Sequence, residues 1–219
     1  MNMNQGKISR EFVKFRVRAD RPEFIARRFS QYLTGNVLDI GCDQAVIKGI
    51  LGAERYSGVG LTKESDIKLN LERVERFPFE DKSYDTVLCL DTLEHLNNLH
   101  ALCSELFRIT ARHLIISLPN CWSQARRSIA KGSGSIWHYG LTPEPPPDRH
   151  KWFFNTEDAC NFLQAQMQRT ERRVELLELV VLENRRPLIN RMWRRVKHPS
   201  RRTYLNLYPQ TIVAVYRVI

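Results

Sequence analysis

No apolar run in this 219-residue chain approaches the roughly 18 residues that cross a bilayer as a helix. Nor does the polar opening MNMNQ carry the basic-then-apolar leader that directs export, so a soluble, cytoplasmic protein is expected. Cysteine is sparse and unpaired: Cys42, Cys89, Cys103, Cys121 and Cys160 are scattered and form no Cys-x-x-Cys. That spacing excludes a zinc ribbon and a disulfide frame, and predicts five small buried residues of a reducing compartment. The aromatic strand of an RNA-recognition module is missing too, so nucleic acid is the less favoured partner.

What the chain does have is 42% hydrophobic content, enough to bury the core of a single domain over residues 1–219. Short apolar runs at 37–40, 56–61, 69–72, 85–90, 113–119, 174–182 and 211–218 read as strands. Helical periods fall between them at about 21–33, 94–111 and 155–166, the last opened by the capping residues Asn155 and Asp158. Strands this apolar, alternating with helices, predict an α/β fold with a doubly wound sheet covered on both faces. Such a sheet leaves a crevice at the carboxyl ends of its strands, and the first run breaks there at Gly41, where a nucleotide-like cofactor is expected beside a helix N-terminus.

The carriers VLDIGCDQA at 37–45, FPFEDKSYDTVLCLDTLEHL at 77–96, IISLPN at 115–120 and DRHKWFFN at 148–155 resemble the class I S-adenosylmethionine-dependent methyltransferases. The likeness is to the small single-domain type with a D-x-L-E-H segment after the fourth strand. It implies a Rossmann-like, mostly parallel seven-stranded sheet with an antiparallel last strand, S-adenosylmethionine as cofactor, and a cofactor-binding half over 36–119. By the same resemblance Asp39 and Gly41 lie under the methionine part, Asn70 and Leu71 beside the adenine, and Leu90 with Asp91 at the floor of the reaction site; Cys42 and Leu61 are further cofactor-binding candidates. The run YGLTPEPPPDRHKWFF at 139–154 is similar to that of bacterial methyltransferases from surface-polysaccharide clusters, which implies polysaccharide biosynthesis and a sugar-like acceptor.

Two departures fall on the cofactor site. The family turn is Gly-x-Gly-x-Gly, and this chain carries Asp43 and Ala45 in the second and third glycine places. The second strand of the family ends in an acid that holds both ribose hydroxyls, and here Gly60 stands there, with Thr62 or Glu64 as substitutes. A lost charge-assisted hydrogen bond is worth roughly 1.5–3 kcal/mol, one or two orders of magnitude in affinity. These two positions carry the alternative of a non-catalytic binding protein.

The net charge of +10 sits at the ends: residues 36–119 carry −4, residues 1–35 carry +5 and residues 183–219 carry +8. The N-terminal 35 residues read as a helical cap, and 183–209 as a basic insertion before the last strand. Within 185–202, arginines interleave with Leu188, Ile189, Met192, Trp193 and Val196, which predicts a short amphipathic basic helix. Three readings of it stand open: an anionic membrane surface to which the protein binds peripherally, a phosphate on a substrate or on RNA, and an ordinary solvated insertion.

The stretch 120–152, with GSGS at 132–135 and a proline run at 143–147, reads as a long irregular loop, and its Trp122, Trp137 and Tyr139 predict a substrate lid. Methyl transfer to a hydroxyl needs the reactants aligned and a proton acceptor. Asp91, Glu94, His95 and His150 are the catalytic candidates, with His138 a further option, and Asp91 and Glu94 are spaced to share a face of a starting helix. Base catalysis by His95 or His150 is one reading. A divalent metal on Glu94, His95 and His150 is another, because this pattern is similar to metal-dependent hydroxyl methyltransferases, including the small-RNA 2′-O-methylating kind. Simple helix capping by Asp91 and Glu94 is the third. The function expected first is O-methylation of a sugar or other small hydroxylated metabolite, with Arg126, Arg127 and Arg149 suited to a phosphate or carboxylate on it. RNA-directed methylation is the second reading, non-catalytic binding the third.

Overall fold

The computed structural model describes residues 8–144, 146 and 148–219; the polar opening MNMNQ, with Pro145 and Pro147 of the proline run, lies outside the described residues. Eight strands form one sheet: β1 (Ile8–Val13), β2 (Val37–Ile40), β3 (Tyr56–Gly60), β4 (Ile67–Lys68), β5 (Tyr84–Leu90), β6 (Thr110–Pro119), β7 (Val174–Asn184) and β8 (Thr211–Val218). Their order is β1-β7-β8-β6-β5-β2-β3-β4. Only the two pairings of β8, with β6 and β7, are antiparallel. The expected Rossmann-like sheet with an antiparallel last strand is therefore present, with eight strands in place of seven. The extra one is β1, which pairs in parallel with β7 from Ile8↔Leu179 to Val13↔Asn184, so the N-terminal 35 residues are not helical throughout. Its sequence ISREFV places three charged or polar residues between its apolar ends, because an edge strand is only partly covered, and so it gives a weak strand signal.

Side-chain alternation along the strands divides the core into two layers. Leu38, Ile40, Val59, Val87, Cys89, Leu114 and Ile116 face one layer, covered by helices α3 (Leu99–Ile109) and α5 (Thr156–Arg169). Val37, Leu88, Ile115 and Val213 face the other, covered by α1 (Asp20–Arg28) with Phe29 and Leu33. Helix α5 begins on the expected capping box of Asn155 and Asp158. All five cysteines are free and buried.

Several local expectations shift. The strand expected at 69–72 forms earlier as β4, and Asn70 instead caps a 3₁₀ turn, Leu71–Arg73, accepting the Glu72 N–H at 3.1 Å. The helix expected at 94–111 is a 3₁₀ turn, Leu93–His95, followed by α3, because β6 takes the chain from Thr110. A third of the loop expected at 120–152 is helix: α4 (Cys121–Lys131) is capped by Asn120 and stopped by Gly132 in the left-handed region. Between β2 and β3 runs only the four-residue α2 (Lys48–Leu51), and the segment before β8 is more than an insertion: α6 (Leu188–Lys197) is followed by α7 (Arg201–Leu207), which buries Tyr204 and Leu205 and packs on α4 and α5. The two basic ends do meet, since Arg201 donates to the Ile8 carbonyl at 2.7 Å.

Candidate active site

The chain leaves β2 toward β3 on one side of the sheet and later continues from β5 toward β6 on the other, so β2 and β5 are neighbours at a topological switch point. Ligands of open α/β sheets bind at the carboxyl ends of such strands. A cavity of about 480 Å³ opens there, within the usual range for small-molecule sites. Asp39, Gly41, Cys42, Leu90, Asp91, Glu94, His95 and His150, widely separated in sequence, all line it.

The turn after β2 departs from the expected strand-turn-helix. Its first amides are engaged, Gly41 N–H and Cys42 N–H both donating to the Val59 carbonyl at 2.8 and 3.2 Å, and α2 is a single helical turn. No anion-binding helix terminus faces the cavity from this element. What the turn keeps is backbone shape. Gly41, Asp43 and Ala45 have φ of 83°, 45° and 47°, so all three glycine places are left-handed although two hold side chains. An Ala in that region costs roughly 1–2 kcal/mol, a strain of the kind concentrated at functional sites. Asp43 is neutralised by Arg18 at 3.0 Å, which removes a repulsion toward any bound carboxylate.

Asp39 is buried at the floor. The Tyr56 hydroxyl donates to its Oδ2 at 2.7 Å, yet burial outweighs that bond and raises its pKa to about 6. At the neighbouring strand end Asp91 is also left-handed, with φ 46°. Ser117 donates to its Oδ1 at 2.8 Å and Arg21 pairs with its other oxygen. Asp91 is thus held by the β6 hydroxyl and by α1, neither sharing a helix face with Glu94 nor capping one. Thr92 braces the crevice, its hydroxyl donating to the Leu90 and Ile40 carbonyls at 3.0 and 3.3 Å.

Glu94 is the least exposed of these groups, and its Oε2 has no partner among the described residues. Burial pushes its pKa up to about 8, with nearby Arg21 opposing and Asp148 reinforcing the rise. The loop at 132–155 brings the second histidine to it. Lys151 N–H donates to the Glu94 carbonyl at 2.8 Å, the Trp152 indole to the Leu96 carbonyl at 2.7 Å, and His95 Nδ1 to the Arg149 carbonyl at 3.0 Å. His150 then packs edge-on to His95, with ring centroids 4.6 Å apart, and stacks on His138 at 4.3 Å. Burial and the two neighbouring imidazoles lower the His150 pKa to about 3, so it is a neutral base at physiological pH. Its Nδ1 meets the Tyr139 hydroxyl at 2.5 Å. One ligand-capable atom from each of Glu94, His95 and His150 lies within 4.8 Å of the others.

Leu61, Asn70 and Leu71 lie outside the cavity lining: Leu61 is exposed just past β3, Asn70 caps the 3₁₀ turn, and Leu71 is in the core. The ribose-side acid is absent as the sequence indicates. The Thr62 hydroxyl is committed to the Asp43 carbonyl at 2.7 Å, whereas among the described residues Glu64 pairs with Lys63 alone, at 3.7 Å. Arg126 stacks over Tyr208 at 4.6 Å and is not on the cavity wall. Sequence reading missed Arg21 and the amide wall of Gln124, Asn184 and Gln210, which carry no motif and reach the cavity from α1, α4, β7 and the approach to β8.

A methyltransferase-domain family model matches residues 14–166, which spans the switch point, the D-x-L-E-H turn and the loop that delivers His150. The chain belongs to this methyltransferase-domain family. S-adenosylmethionine is the cofactor that membership implies, and the buried carboxylate of Asp39 beside a left-handed loop fits its methionine end. No protein of curated function matches the methyltransferase domain in sequence. Among solved structures it is similar to a SAM-dependent methyltransferase from Archaeoglobus fulgidus (TM-score 0.62, 18% identity, covering 93% of this chain and 96% of that one). A SAM-dependent methyltransferase from Methanosarcina mazei is similar at TM-score 0.51 and 15% identity, covering 87% and 96%. So is the [4+2]-cyclase SpnF, at TM-score 0.55 and 12% identity, covering 91% and 80%. A cyclase among the fold's relatives means that the reaction must be argued from the site.

Proposed function

We propose that this protein transfers a methyl group from S-adenosylmethionine to a hydroxyl of a small, sugar-like acceptor. The observation that carries the reading is the placement of Glu94, His95 and His150 on the same cavity as Asp39, Gly41 and Leu90. When bound, the cofactor supplies a sulfonium methyl open to in-line attack. Asp39 and the turn at 41–45 hold its methionine end, and Glu64, past β3 and outside the cavity lining, is the acid left to take the ribose hydroxyls. The S–CH₃ bond breaks as the O–CH₃ bond forms, leaving S-adenosylhomocysteine, and the acceptor proton passes to a neutral imidazole; His150 is unprotonated through burial, and its basicity rises only as the bound acceptor adds polar contacts around it. Gln124, Asn184 and Gln210 offer the paired donors and acceptors that suit a hydroxylated ring, and Asn184 Oδ1 is buried without a partner.

A second reading adds a divalent ion on Glu94, His95 and His150. It is favoured by the tethering of both imidazoles through Nδ1, to the Arg149 carbonyl and the Tyr139 hydroxyl, and by His95 Nε2 facing carboxylates, Asp148 at 3.3 Å and Glu94 at 3.7 Å. Such an ion would acidify an acceptor hydroxyl. Calorimetric titration with S-adenosylmethionine and S-adenosylhomocysteine, with and without Mg²⁺ or Mn²⁺, tests both. Micromolar binding abolished in Asp39→Ala and weakened about tenfold in Glu64→Gln is expected, the latter being the loss of one charge-assisted bond. No binding under any condition sinks the reading in favour of a non-catalytic protein.

A further inference from the structure

We propose that the outer face of α6 docks the protein on an anionic lipid surface. Ordinary surface helices turn apolar residues inward and charges outward. Helix α6 does the reverse. Its arginines hold it to the body: Arg194 pairs with the buried Glu183 at 2.9 Å and lies over Tyr208 at 4.4 Å, while Arg191 lies over Phe12 at 3.8 Å. Leu188, Ile189, Met192, Trp193 and Val196 point away from the fold and are 71%, 58%, 63%, 66% and 72% exposed. At helical spacing i, i+1, i+4, i+5 and i+8 these five form one stripe about 12 Å long. No other described element covers it.

Charge selects the occupant. Arg195 and Lys197 fall on the two borders of the stripe, exposed Arg185 and Arg186 precede it, and no acidic residue follows Glu183. A second copy of this chain would bring like charges together around the stripe. A nucleic acid would satisfy the cations but leave the aliphatic side chains in water. A bilayer with anionic headgroups satisfies both, with Trp193 at headgroup depth, and a helix this short and this basic lies in the interface plane. Asn184, four residues before α6, lines the cavity, so docking holds one wall of the site near the lipid. This inference is independent of the acceptor chemistry.

The test is flotation of the full chain with vesicles of phosphatidylcholine alone or mixed with phosphatidylglycerol. Binding is expected only to the mixed vesicles and should fall with salt. Arg186→Gln/Lys197→Gln should weaken it about fivefold per cation removed, and Met192→Ser/Trp193→Ser by roughly tenfold or more. Both pairs lie outside the core, so melting temperature and cofactor affinity should stay those of wild type, which separates loss of docking from loss of the site. The inference is overturned if the protein does not float with anionic vesicles at low salt or if neither double variant changes the binding. It is equally overturned if Met192→Ser/Trp193→Ser only dissolves a dimer, or if RNA is retained as tightly as vesicles by wild type and that variant alike.

Discussion

Replacing Asp39 by Asn probes the electrostatic cost of the cavity floor. In the folded protein burial raises the Asp39 pKa from the ordinary 3.8 to about 6, despite the hydrogen bond from Tyr56. A folded pKa above the unfolded one means that the native state keeps its proton where the unfolded chain has released it. The Asp39 contribution to stability is therefore complete below 3.8 and lost as pH rises through about 6. About two pH units at about 1.4 kcal/mol each amounts to roughly 3 kcal/mol of native-state penalty above neutrality. Asn removes the charge, keeps the shape and still accepts from Tyr56. Asp39→Asn should thus be about 2–3 kcal/mol more stable than wild type at about pH 8, a rise in melting temperature of roughly 4–12 °C for a chain of this size. The advantage should close as pH falls below about 5. Saturating S-adenosylmethionine should roughly cancel the difference, since about a hundredfold excess over Kd adds about 2.7 kcal/mol to wild type and nothing to a variant that does not bind. Urea melts at both pH values, with and without cofactor, decide it. A variant less stable than wild type at the higher pH, or a gap that does not move with pH, refutes the reasoning.

The same turn and the base above it give three further expectations. Gly41→Ala should lose roughly 2–4 kcal/mol, because its φ is left-handed and the added Cβ falls 2.2 Å from Thr92 Oγ1; a urea midpoint within error of wild type contradicts this. Ala45→Gly should gain about 0.5–1 kcal/mol by relieving the left-handed strain, and a loss in the same melts means that the buried methyl matters more than the backbone. His150→Gln should lower kcat by roughly 10²–10³ with cofactor affinity unchanged, and turnover within threefold of wild type removes His150 as the base.

Much of the fold was legible because it is written in local periods. Runs such as VLDI and HLIISLP are apolar on both faces, since central parallel strands are covered twice, and the box of Asn155 and Asp158 is a helix start within four residues. The signal failed where local chemistry is mixed. Edge strand β1 carries charges between its apolar ends, and α4 lies in a stretch whose flanking glycines and prolines suggested a loop. Glycine counting misled in a different way, for the turn after β2 keeps left-handed geometry at Asp43 and Ala45, and φ cannot be read from residue type.

The sequence by itself determined the central strands β2, β3, β5 and β6, the closing pair β7 and β8, the break at Gly41 and the candidates Asp39, Asp91, Glu94 and His95, because each depends on neighbours a few positions away. Tertiary structure alone decided what those groups can do. His95 and Arg149 bond across 54 positions, and that closure, with the bonds of Lys151 to Glu94 and Trp152 to Leu96, places His150 against Glu94 and desolvates both. Arg21 reaches Asp91 from another element, and the arginines of α6 turn inward only because Glu183, Phe12 and Tyr208 wait behind them. Burial and pairing depend on distances between segments far apart in the chain, and periodicity carries no record of those distances.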